Sequence, residues 1–369
     1  MKITRLDTFI LHVPVTNQRV ADSHHQVSEW GAVGVVVHTD TEHRGFGYTG
    51  TLGHVAADRL IRRCIADAYG ELLLGEDPLE TQHLWSKLYH APGIRWVGRA
   101  GITQMALSAI DIALWDIKAK AAQQPLWKLL GGNDGKRIEA YNSDGGWLNL
   151  SKQQLVDAAH ATAAQGFRGL KLKIGSPHPA DDVERVGAVR AGVDRQMKVM
   201  VDADGCWDLP TARQMGRQLQ DLDVHWFEEP TAFDDVASHA RLVRELRMPI
   251  ALGGRLYSPD AFGAFVDAGA LHFVQADATR LGGITPWLQA ADRAAAAQLP
   301  VCPHVGDMMQ VHLHLAMAHP ACAMLEYIPW LRGCFEEPAT VESGFFKVPQ
   351  APGAGTTIRA ERIARFGID

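Results

Sequence analysis

The sequence predicts an α/β barrel of parallel strands preceded by an α+β domain, and three observations support this. From about residue 137 onward, short apolar runs ending in polar residues recur; stretches with helical spacing lie between most of them; and the first 125 or so residues lack this repeat. Regular alternation of strand and helix indicates parallel strands joined by crossover helices. Eight such units close naturally into a barrel.

The predicted barrel strands are apolar or β-branched runs of five to eight residues. They lie at 137–144, 169–175, 198–204, 225–230, 249–254, 273–278, 300–304 and 323–328. A helix after the second run is indicated by the helical spacing of Val183, Val186 and Val189, behind an acidic start that suits a helix N-terminus. An open doubly wound sheet is the competing architecture. It normally carries a glycine-rich phosphate-binding turn after its first strand, and the glycines of 131–137 do not have that spacing.

The first part of the chain is predicted to have strands at 2–13 and 31–40, followed by helices. The clearest helix is predicted over 102–121, with one apolar stripe formed by Ile110, Ala113, Leu114, Ile117 and Ala121. No proline-rich or serine-rich linker follows it, so the two parts are expected to pack against each other.

Composition excludes several classes of protein. The 369 residues contain 36 Lys and Arg against 42 Asp and Glu, a net charge of −6, and the basic residues are interleaved with acids, which argues against nucleic acid as a partner. No apolar run approaches the length of a membrane span. The five cysteines are widely spaced without a C-x-x-C pair, as expected in a reducing compartment. We therefore expect a cytoplasmic protein without a membrane partner.

Ionisable residues close the predicted barrel strands, and in a parallel barrel these positions converge on one mouth. They are Lys171, Lys173, Asp202, Asp204, Glu228, Glu229, Asp277, His304 and Glu326. Such a collection at one mouth predicts an active site.

The two lysines are expected to face into the barrel, because side chains alternate along a strand and Leu170, Leu172 and Ile174 take the opposite face. A half-exposed strand with a wet polar face would explain an isolated K-x-K in an antiparallel sheet. In a parallel barrel both faces of a strand are covered, which favours a functional role for the two inward-facing lysines. Crowding by a second ammonium in a water-poor site is expected to lower the pKa of a lysine toward the range of a general base.

Two pairs of ionisable residues at the ends of neighbouring strands are the other candidates for a catalytic role. Asp202 and Glu228 close consecutive strands about 4.8 Å apart, so their carboxylates are able to share one hard cation. Helix capping is the competing explanation for acids just after strands. Asp277 and His304 also end neighbouring strands, where a carboxylate fixes the tautomer of an imidazole; the competing explanation is a structural histidine. Together with a lysine across the barrel, this layout suits removal of a proton α to a carboxylate held on a metal ion.

With these residues the chain resembles the enolase superfamily, and within it the mandelate racemase subgroup. The motifs that carry the resemblance are AIDIALWDIKAK (109–120), KLK (171–173), VDAD (201–204), FEEP (227–230), ADATRLGGIT with Asp277, CPH with His304 and LEY with Glu326. The resemblance implies a modified TIM barrel, (β/α)7β, with an N-terminal α+β capping domain. The corresponding ranges are 1–125 for the cap, 126–330 for the barrel and 331–369 for a C-terminal segment that returns to the cap.

The resemblance also implies roles for individual residues. Lys173, next to Lys171, would be the base on one face of the substrate, and His304 assisted by Asp277 the acid or base on the other, with Mg²⁺ as cofactor. Asp202 and Glu228 would be metal ligands, and Glu326 would lie near the substrate carboxylate or its enediolate.

Substrate selection in this family involves a loop of the cap, which the resemblance places at 22–30. His24 and His25 are therefore plausible substrate contacts, with solvated surface histidines as the alternative.

One departure concerns the third metal ligand. The fifth barrel strand of the family usually ends in Gly-Glu, and this chain has Gly254 at the glutamate position with Arg255 next to it. Two carboxylates still suffice for Mg²⁺, which keeps several waters, and Asp204 or Glu229 could assist. Alternatively, the guanidinium of Arg255 occupies the space at the metal site, and the site binds metal poorly. Loss of a carboxylate and gain of a cation predict weak Mg²⁺ binding.

Dehydration of an acid sugar, an aldonate or aldarate, is the expected reaction, since a lysine and a His/Asp pair allow one group to take the α-proton while the other protonates the departing hydroxyl. The motifs GYTGTLG (47–53), VGRAGIT (97–103) and HVGDMMQVHL (304–313) resemble those of sugar-acid dehydratases and cycloisomerases. Racemisation, epimerisation and cycloisomerisation remain alternatives, as does a metal-impaired relative that binds acid sugars without turnover. The expected partner is a small-molecule carboxylate, and the family implies a homo-oligomer.

Overall fold

A computed structural model describes residues 1–15, 20–305 and 309–369. The first part of the chain contains an antiparallel sheet with a long central strand and a two-stranded ribbon in the connection before it. The sheet is formed by β1 (Ile3–Pro14), β4 (Glu29–Thr39) and β5 (Arg44–Thr51), and the ribbon by β2 (Val20–Ala21) and β3 (Gln26–Val27). The strands predicted at 2–13 and 31–40 correspond to β1 and β4 and end within two residues of them, whereas β5 was not predicted.

Helices follow the sheet; the first five share its apolar core, whereas the last packs in the core of the second part of the chain. They are α1 (Val55–Arg63), α2 (Gly70–Leu73), α3 (Thr81–Tyr89), α4 (Pro92–Val97), α5 (Ile102–Ala121) and α6 (Leu126–Leu129), with a π-helical turn at Cys64–Tyr69. Helix α5 has the predicted bounds. The single predicted stripe is wrong in detail, because α5 is buried on most of its circumference, while Ala121 is only half-buried.

Two buried acidic side chains of α5 bind other parts of the chain. The carboxylate of Asp111 accepts hydrogen bonds from the backbone and hydroxyl of Thr285 in the barrel, at 2.9 and 2.8 Å. That of Asp116 accepts from the backbone of Phe46 at 3.0 Å and of Ala354 at 2.8 Å. This helix therefore joins the cap sheet, the barrel and the C-terminal segment.

Two glycines of β5 allow α5 to lie directly on the sheet. A Cβ atom at Gly45 would come within 2.0 Å of the Ala113 carbonyl oxygen, and one at Gly47 within 1.8 Å of the Ala109 carbonyl oxygen. Neither position leaves room for any other residue without separating helix and sheet.

We expect Gly47→Ala to destabilise the protein by about 1–3 kcal/mol or more, because the added methyl group overlaps backbone that has no freedom to rotate away. Urea unfolding of both proteins measures the difference. Gly93→Ala is the matched control, since a Cβ there meets no atom within 4 Å, and its stability should be unchanged or slightly higher. Equal stability of Gly47→Ala and wild type would contradict the close packing of β5 on α5.

The second part of the chain forms a parallel barrel. Its strands are β6 (Glu139–Asn142), β7 (Gly169–Lys173), β8 (Lys198–Asp202), β9 (Trp226–Glu228), β10 (Ile250–Leu252), β11 (Phe273–Val274) and β12 (Met324–Tyr327). Each pairs in parallel with the next from β6 to β11, and β12 pairs with β6. The run predicted at 300–304 contributes only single bridges, from Val301 to Val274 and to Cys322, and these close the ring between β11 and β12.

Crossover helices surround the barrel and bury its outer face. They are α7 (Lys152–Ala164), α8 (Pro179–Gly192), α9 (Leu209–Leu219), α10 (Val236–Glu245), α11 (Pro259–Asp267), α12 (Ile284–Ala296) and α13 (Met309–Ala318), with 3₁₀ turns at Gln220–Leu222 and Arg332–Cys334. Side chains of Ser151, Asp208, Asp235 and Ser258 cap four of these helices at the N-terminus. Inside the barrel, one apolar layer consists of Tyr141, Met200, Trp226, Ala251, Cys302 and Met324. The charged strand ends lie beyond this layer, toward the carboxyl end of the barrel.

The C-terminal segment contains the hairpin β13 (Val341–Glu342) and β14 (Phe345–Phe346), which extends the barrel sheet beside β6, and the helix α14 (Ala360–Phe366). After α14 the chain reaches the cap, where Gly367 bridges Leu11 and the Ile368 backbone donates to the Ile10 carbonyl oxygen. Across the described residues, the helices are too short or too polar to cross a lipid bilayer.

Candidate active site

The carboxyl ends of the barrel strands open beneath the cap into a cavity of about 910 Å³ lined by both parts of the chain. Alternation along β7 directs Lys171 and Lys173 into the barrel, whereas Leu170 and Leu172 pack in the core between strands and helices. The expected orientation of the K-x-K segment is thus present.

Lys171 is surrounded by three carboxylates. Its Nζ lies 2.7 Å from Glu326 Oε1 and 2.8 Å from Glu228 Oε1, with Asp202 Oδ2 farther away at 3.5 Å. Lys173 Nζ lies 2.6 Å from Asp202 Oδ2. Asp202 and Glu228 face each other across the register of β8 and β9, as expected for consecutive strand ends.

The expected lowering of the lysine pKa is wrong for this arrangement of charges. Burial alone would lower the pKa of Lys171, but the carboxylates of Glu228, Glu326 and Asp202 outweigh it and raise the pKa well above its usual range. Burial likewise lowers the pKa of Lys173, and Asp202 and Asp204 raise it further than burial lowers it. The prediction considered the repulsion by the second ammonium group but not the attraction by the carboxylates around both lysines, which raises their pKa values.

The acids of this cluster do not ionise alike. For Glu326, burial raises the pKa, but Lys171 and His304 lower it more, to about 2. For Glu228, burial and the nearby Asp202 raise the pKa to about 8 against the effect of Lys171. Burial also raises the pKa of Asp202, yet the two lysines bring it below its usual value.

His304 and Asp277 form a hydrogen-bonded pair on the other side of the mouth. His304 Nδ1 lies 2.8 Å from Asp277 Oδ2. The backbone and hydroxyl of Thr279 donate to the other oxygen of Asp277 at 2.8 and 2.7 Å. Burial alone would raise the pKa of Asp277, but His312 and His304 lower it, so the carboxylate is charged. A fixed anion at Nδ1 leaves Nε2 of His304 as the nitrogen that exchanges a proton with the cavity.

Glu326 is held in place from three directions. Ser143 Oγ donates to its Oε1 at 2.7 Å, the Val305 backbone donates to its Oε2 at 3.2 Å, and Lys171 pairs with it. Ser143 was not singled out from the sequence, although it is one of the polar residues that close the first predicted strand.

Arg255 pairs with the two acids that could have assisted a metal ion. Its Nη2 lies 2.5 Å from Asp204 Oδ1 and 2.5 Å from Glu229 Oε2. A Cβ atom at Gly254 would lie 2.9 Å from the His304 ring, so the imidazole occupies space that a larger residue would need. The reading in which Asp204 or Glu229 completes the site of Asp202 and Glu228 is thus disfavoured for the two oxygens that the guanidinium binds, Asp204 Oδ1 and Glu229 Oε2.

Two family models match the chain. One, described as mandelate racemase/muconate lactonizing enzyme, N-terminal domain, matches residues 5–131, and the other, described as enolase C-terminal domain-like, matches residues 154–362. The chain belongs to the mandelate racemase/muconate lactonizing enzyme family. The resemblance inferred from the motifs is confirmed.

Individual relatives within this family carry sugar-acid names. L-talarate/galactarate dehydratase of Salmonella typhimurium is 39% identical over 294 residues, 80% of this chain and 72% of that protein. A 3,6-anhydro-alpha-L-galactonate cycloisomerase of Streptomyces coelicolor is 32% identical over 372 residues, 99% of each chain. The crystal structure of L-talarate dehydratase from Polaromonas sp. JS666, complexed with Mg and L-glucarate, superposes with a TM-score of 0.90 at 33% identity and covers 100% of this chain and 98% of that one. The predicted barrel with an N-terminal cap is confirmed.

Family motifs of the cap also reach the cavity. Residues 50–53 of GYTGTLG and 101–102 of VGRAGIT line it. Within HVGDMMQVHL, residues 306–308 lie outside the described residues. Arg280 of the ADATRLGGIT motif lines the cavity as well, 3.7 Å from Asp277, and was not predicted as a site residue.

The cap loop closes over the end of β8. Ser23 Oγ donates to the Ala203 carbonyl oxygen at 3.1 Å, and His24 Nε2 lies 3.1 Å from the Asp204 carbonyl oxygen. His25 Nδ1 lies 3.0 Å from Asp22 Oδ1. Both predicted histidines line the cavity and are also exposed to solvent, so their role as substrate contacts stays a prediction. Asp22, which lines it too, was missed by sequence reasoning.

Proposed function

We propose that this protein is a lyase that dehydrates an acid sugar, an aldonate or aldarate, by removing the proton α to its carboxylate. The observation that carries the proposal is the placement of Lys173 at the end of β7 and of the His304–Asp277 pair beyond β11, at one mouth of the barrel. Asp202 and Glu228 lie between them, at the ends of β8 and β9. Dehydratases among the relatives of this chain support the same reaction class.

In the proposed reaction, Lys173 Nζ takes the α-proton and the electron pair of the broken C–H bond moves into the carboxylate, giving an enediolate. His304 then gives the proton of Nε2 to the β-hydroxyl, so that the C–O bond breaks and water leaves. The resulting enol becomes a 2-keto acid. Asp277 keeps the imidazole oriented and stabilises its protonated form, which is the usual role of a carboxylate behind a catalytic histidine.

The donors that this chain offers to Mg²⁺ are Asp202 and Glu228, and they fit such an ion. Both side chains are buried carboxylates on adjacent parallel strands, which matches the preference of Mg²⁺ for one or two carboxylates plus water. Bound there, a divalent cation would stabilise the enediolate charge and offset the carboxylates that raise the lysine pKa.

We expect weak Mg²⁺ binding by the wild type and at least about tenfold tighter binding by Gly254→Glu with Arg255→Asn, since the change adds one negative charge and removes one positive charge nearby. The same variant should lose turnover, because a Cβ at position 254 displaces the His304 ring. Titration calorimetry measures the affinity. Arg255→Asn alone is the control that frees Asp204 and Glu229 without adding a Cβ. Tight wild-type binding with no gain in the double variant would show that other groups complete the site.

Turnover on a panel of aldonates and aldarates, followed by ¹H NMR in D₂O, tests the proposed function. A dehydratase produces a 2-keto acid and loses one water. An epimerase would exchange the α-hydrogen and invert the centre without losing water, and a cycloisomerase would form a lactone or open an anhydro ring. Binding of panel members without any of these changes would support the metal-impaired relative, for which Gly254 and Arg255 are the argument.

A further inference from the structure

A second group of metal-ligating side chains lies where the cap loop meets the barrel. It consists of Asp22 and His25 in the loop between β2 and β3, and Asp204 two residues beyond β8. Within the described part of the chain, this is the one set of three His, Cys, Asp or Glu residues whose ligand atoms all lie within 4.8 Å of one another. It shares no member with the Asp202 and Glu228 pair.

The ligand atoms of this group lie close to one another. The backbone N–H groups of His24 and His25 donate to Asp22 Oδ1 at 2.8 and 2.7 Å, which fixes the carboxylate beside the imidazole, and His25 Nδ1 lies 3.0 Å from the same oxygen. His25 Nδ1 then lies 3.1 Å from Asp22 Oδ2 and 3.9 Å from Asp204 Oδ2. In a tetrahedral site with bonds near 2.1 Å, neighbouring ligand atoms are about 3.4 Å apart, so small movements suffice to bring these three into coordination.

A separate observation concerns the second oxygen of Asp204. Asp204 Oδ2 is shielded from solvent and accepts no hydrogen bond, whereas Oδ1 is paired with Arg255. A buried carboxylate oxygen without a donor is costly unless a cation or a donor reaches it. The guanidinium of Arg255 pairs with Asp204 Oδ1 and with Glu229, so Asp204 Oδ2, the oxygen nearer to His25, receives no hydrogen bond from it.

We propose that Asp22, His25 and Asp204 bind one divalent transition-metal ion of the Zn²⁺ class, and that this ion ties the cap loop to the barrel. The donor set of one imidazole and two carboxylates selects such an ion over Mg²⁺, which takes oxygen ligands. His25 has 42% of its side chain exposed, which gives an ion a path into the site, while Asp22 and Asp204 are 13% and 14% exposed. Because two ligands come from the cap and one from the barrel, the ion would hold the two parts together over the cavity.

Cobalt(II) is the probe for this site, since its visible absorption reports imidazole coordination and four-coordinate geometry. Metal-stripped full-length protein is titrated with Co²⁺ in a large excess of Mg²⁺, which competes for the carboxylate pair at Asp202 and Glu228. We expect one Mg²⁺-resistant equivalent of Co²⁺ in the wild type, with affinity at least tenfold lower in His25→Ala and in Asp22→Asn. His24→Ala is the matched control, because it removes a neighbouring imidazole that contacts the Asp204 carbonyl oxygen and lies T-shaped against the His25 ring but is not a member of the proposed ligand set.

The outcomes separate clearly. Loss of Mg²⁺-resistant Co²⁺ binding in His25→Ala and its retention in His24→Ala support the site, as does slower amide hydrogen exchange of residues 20–27 on adding Co²⁺. Equal Co²⁺ binding by wild type and His25→Ala overturns it, and so does the absence of Mg²⁺-resistant binding in a wild type that is folded by circular dichroism. Equal losses in His24→Ala and His25→Ala would also overturn it, since they would indicate a disturbed loop in place of a lost ligand. None of these readouts depends on turnover of an acid sugar.

Discussion

His304→Asn is expected to lower turnover of the acid-sugar substrate by about 10²- to 10⁴-fold while the fold is retained, because an amide does not transfer the proton that an imidazole transfers. The asparagine still offers a polar group to Asp277, whose carboxylate keeps its hydrogen bonds from Thr279. The loss should therefore appear in kcat, with a thermal unfolding midpoint close to that of the wild type.

A second histidine provides the control for this experiment. His178 precedes helix α8, is exposed, and does not line the cavity, so His178→Asn should leave kcat and KM unchanged. Near-normal turnover by His304→Asn would exclude His304 as the group that protonates the departing hydroxyl.

Lys173→Ala is expected to lower exchange of the α-hydrogen with solvent deuterium by a similar factor, about 10²- to 10⁴-fold, because it removes the proposed base. Asp202 keeps Lys171 as a neighbouring cation at 3.5 Å and the Asp204 backbone as a donor at 2.9 Å, so the variant should fold. The measurement is ¹H NMR of substrate incubated in D₂O, which detects α-proton removal even where dehydration does not follow.

Other lysines show whether the effect is specific to position 173. Lys152→Ala changes an exposed surface pair and should leave exchange unchanged. Lys171→Ala should instead destabilise the protein, because Glu228 and Glu326 would be left as buried carboxylates without their cation, a change that costs several kcal/mol in comparable cases. Unchanged exchange in Lys173→Ala would transfer the base role to His304 alone.

Local patterns were sufficient for much of the barrel. Alternation in the K-x-K segment predicted which side chains point inward, and the acids that close β8 and β9 were correctly expected to face each other. Helix α5 was predicted at its observed ends. The seventh barrel run was predicted as a strand and forms only single bridges from Val301 to Val274 and Cys322.

The sequence by itself determined the order of the barrel strands, the ionisable residues at their ends and the absence of a glutamate at position 254, because these follow from residue type and spacing along the chain. Only the tertiary structure decided the sign of the lysine pKa shifts, the pairing of Arg255 with Asp204 and Glu229, and the position of the His304 ring where a side chain at residue 254 would begin. It also brought Asp22 and His25 to Asp204, some 180 residues away. Electrostatic energies depend on distances through space, and those distances exist only once cap and barrel have packed together.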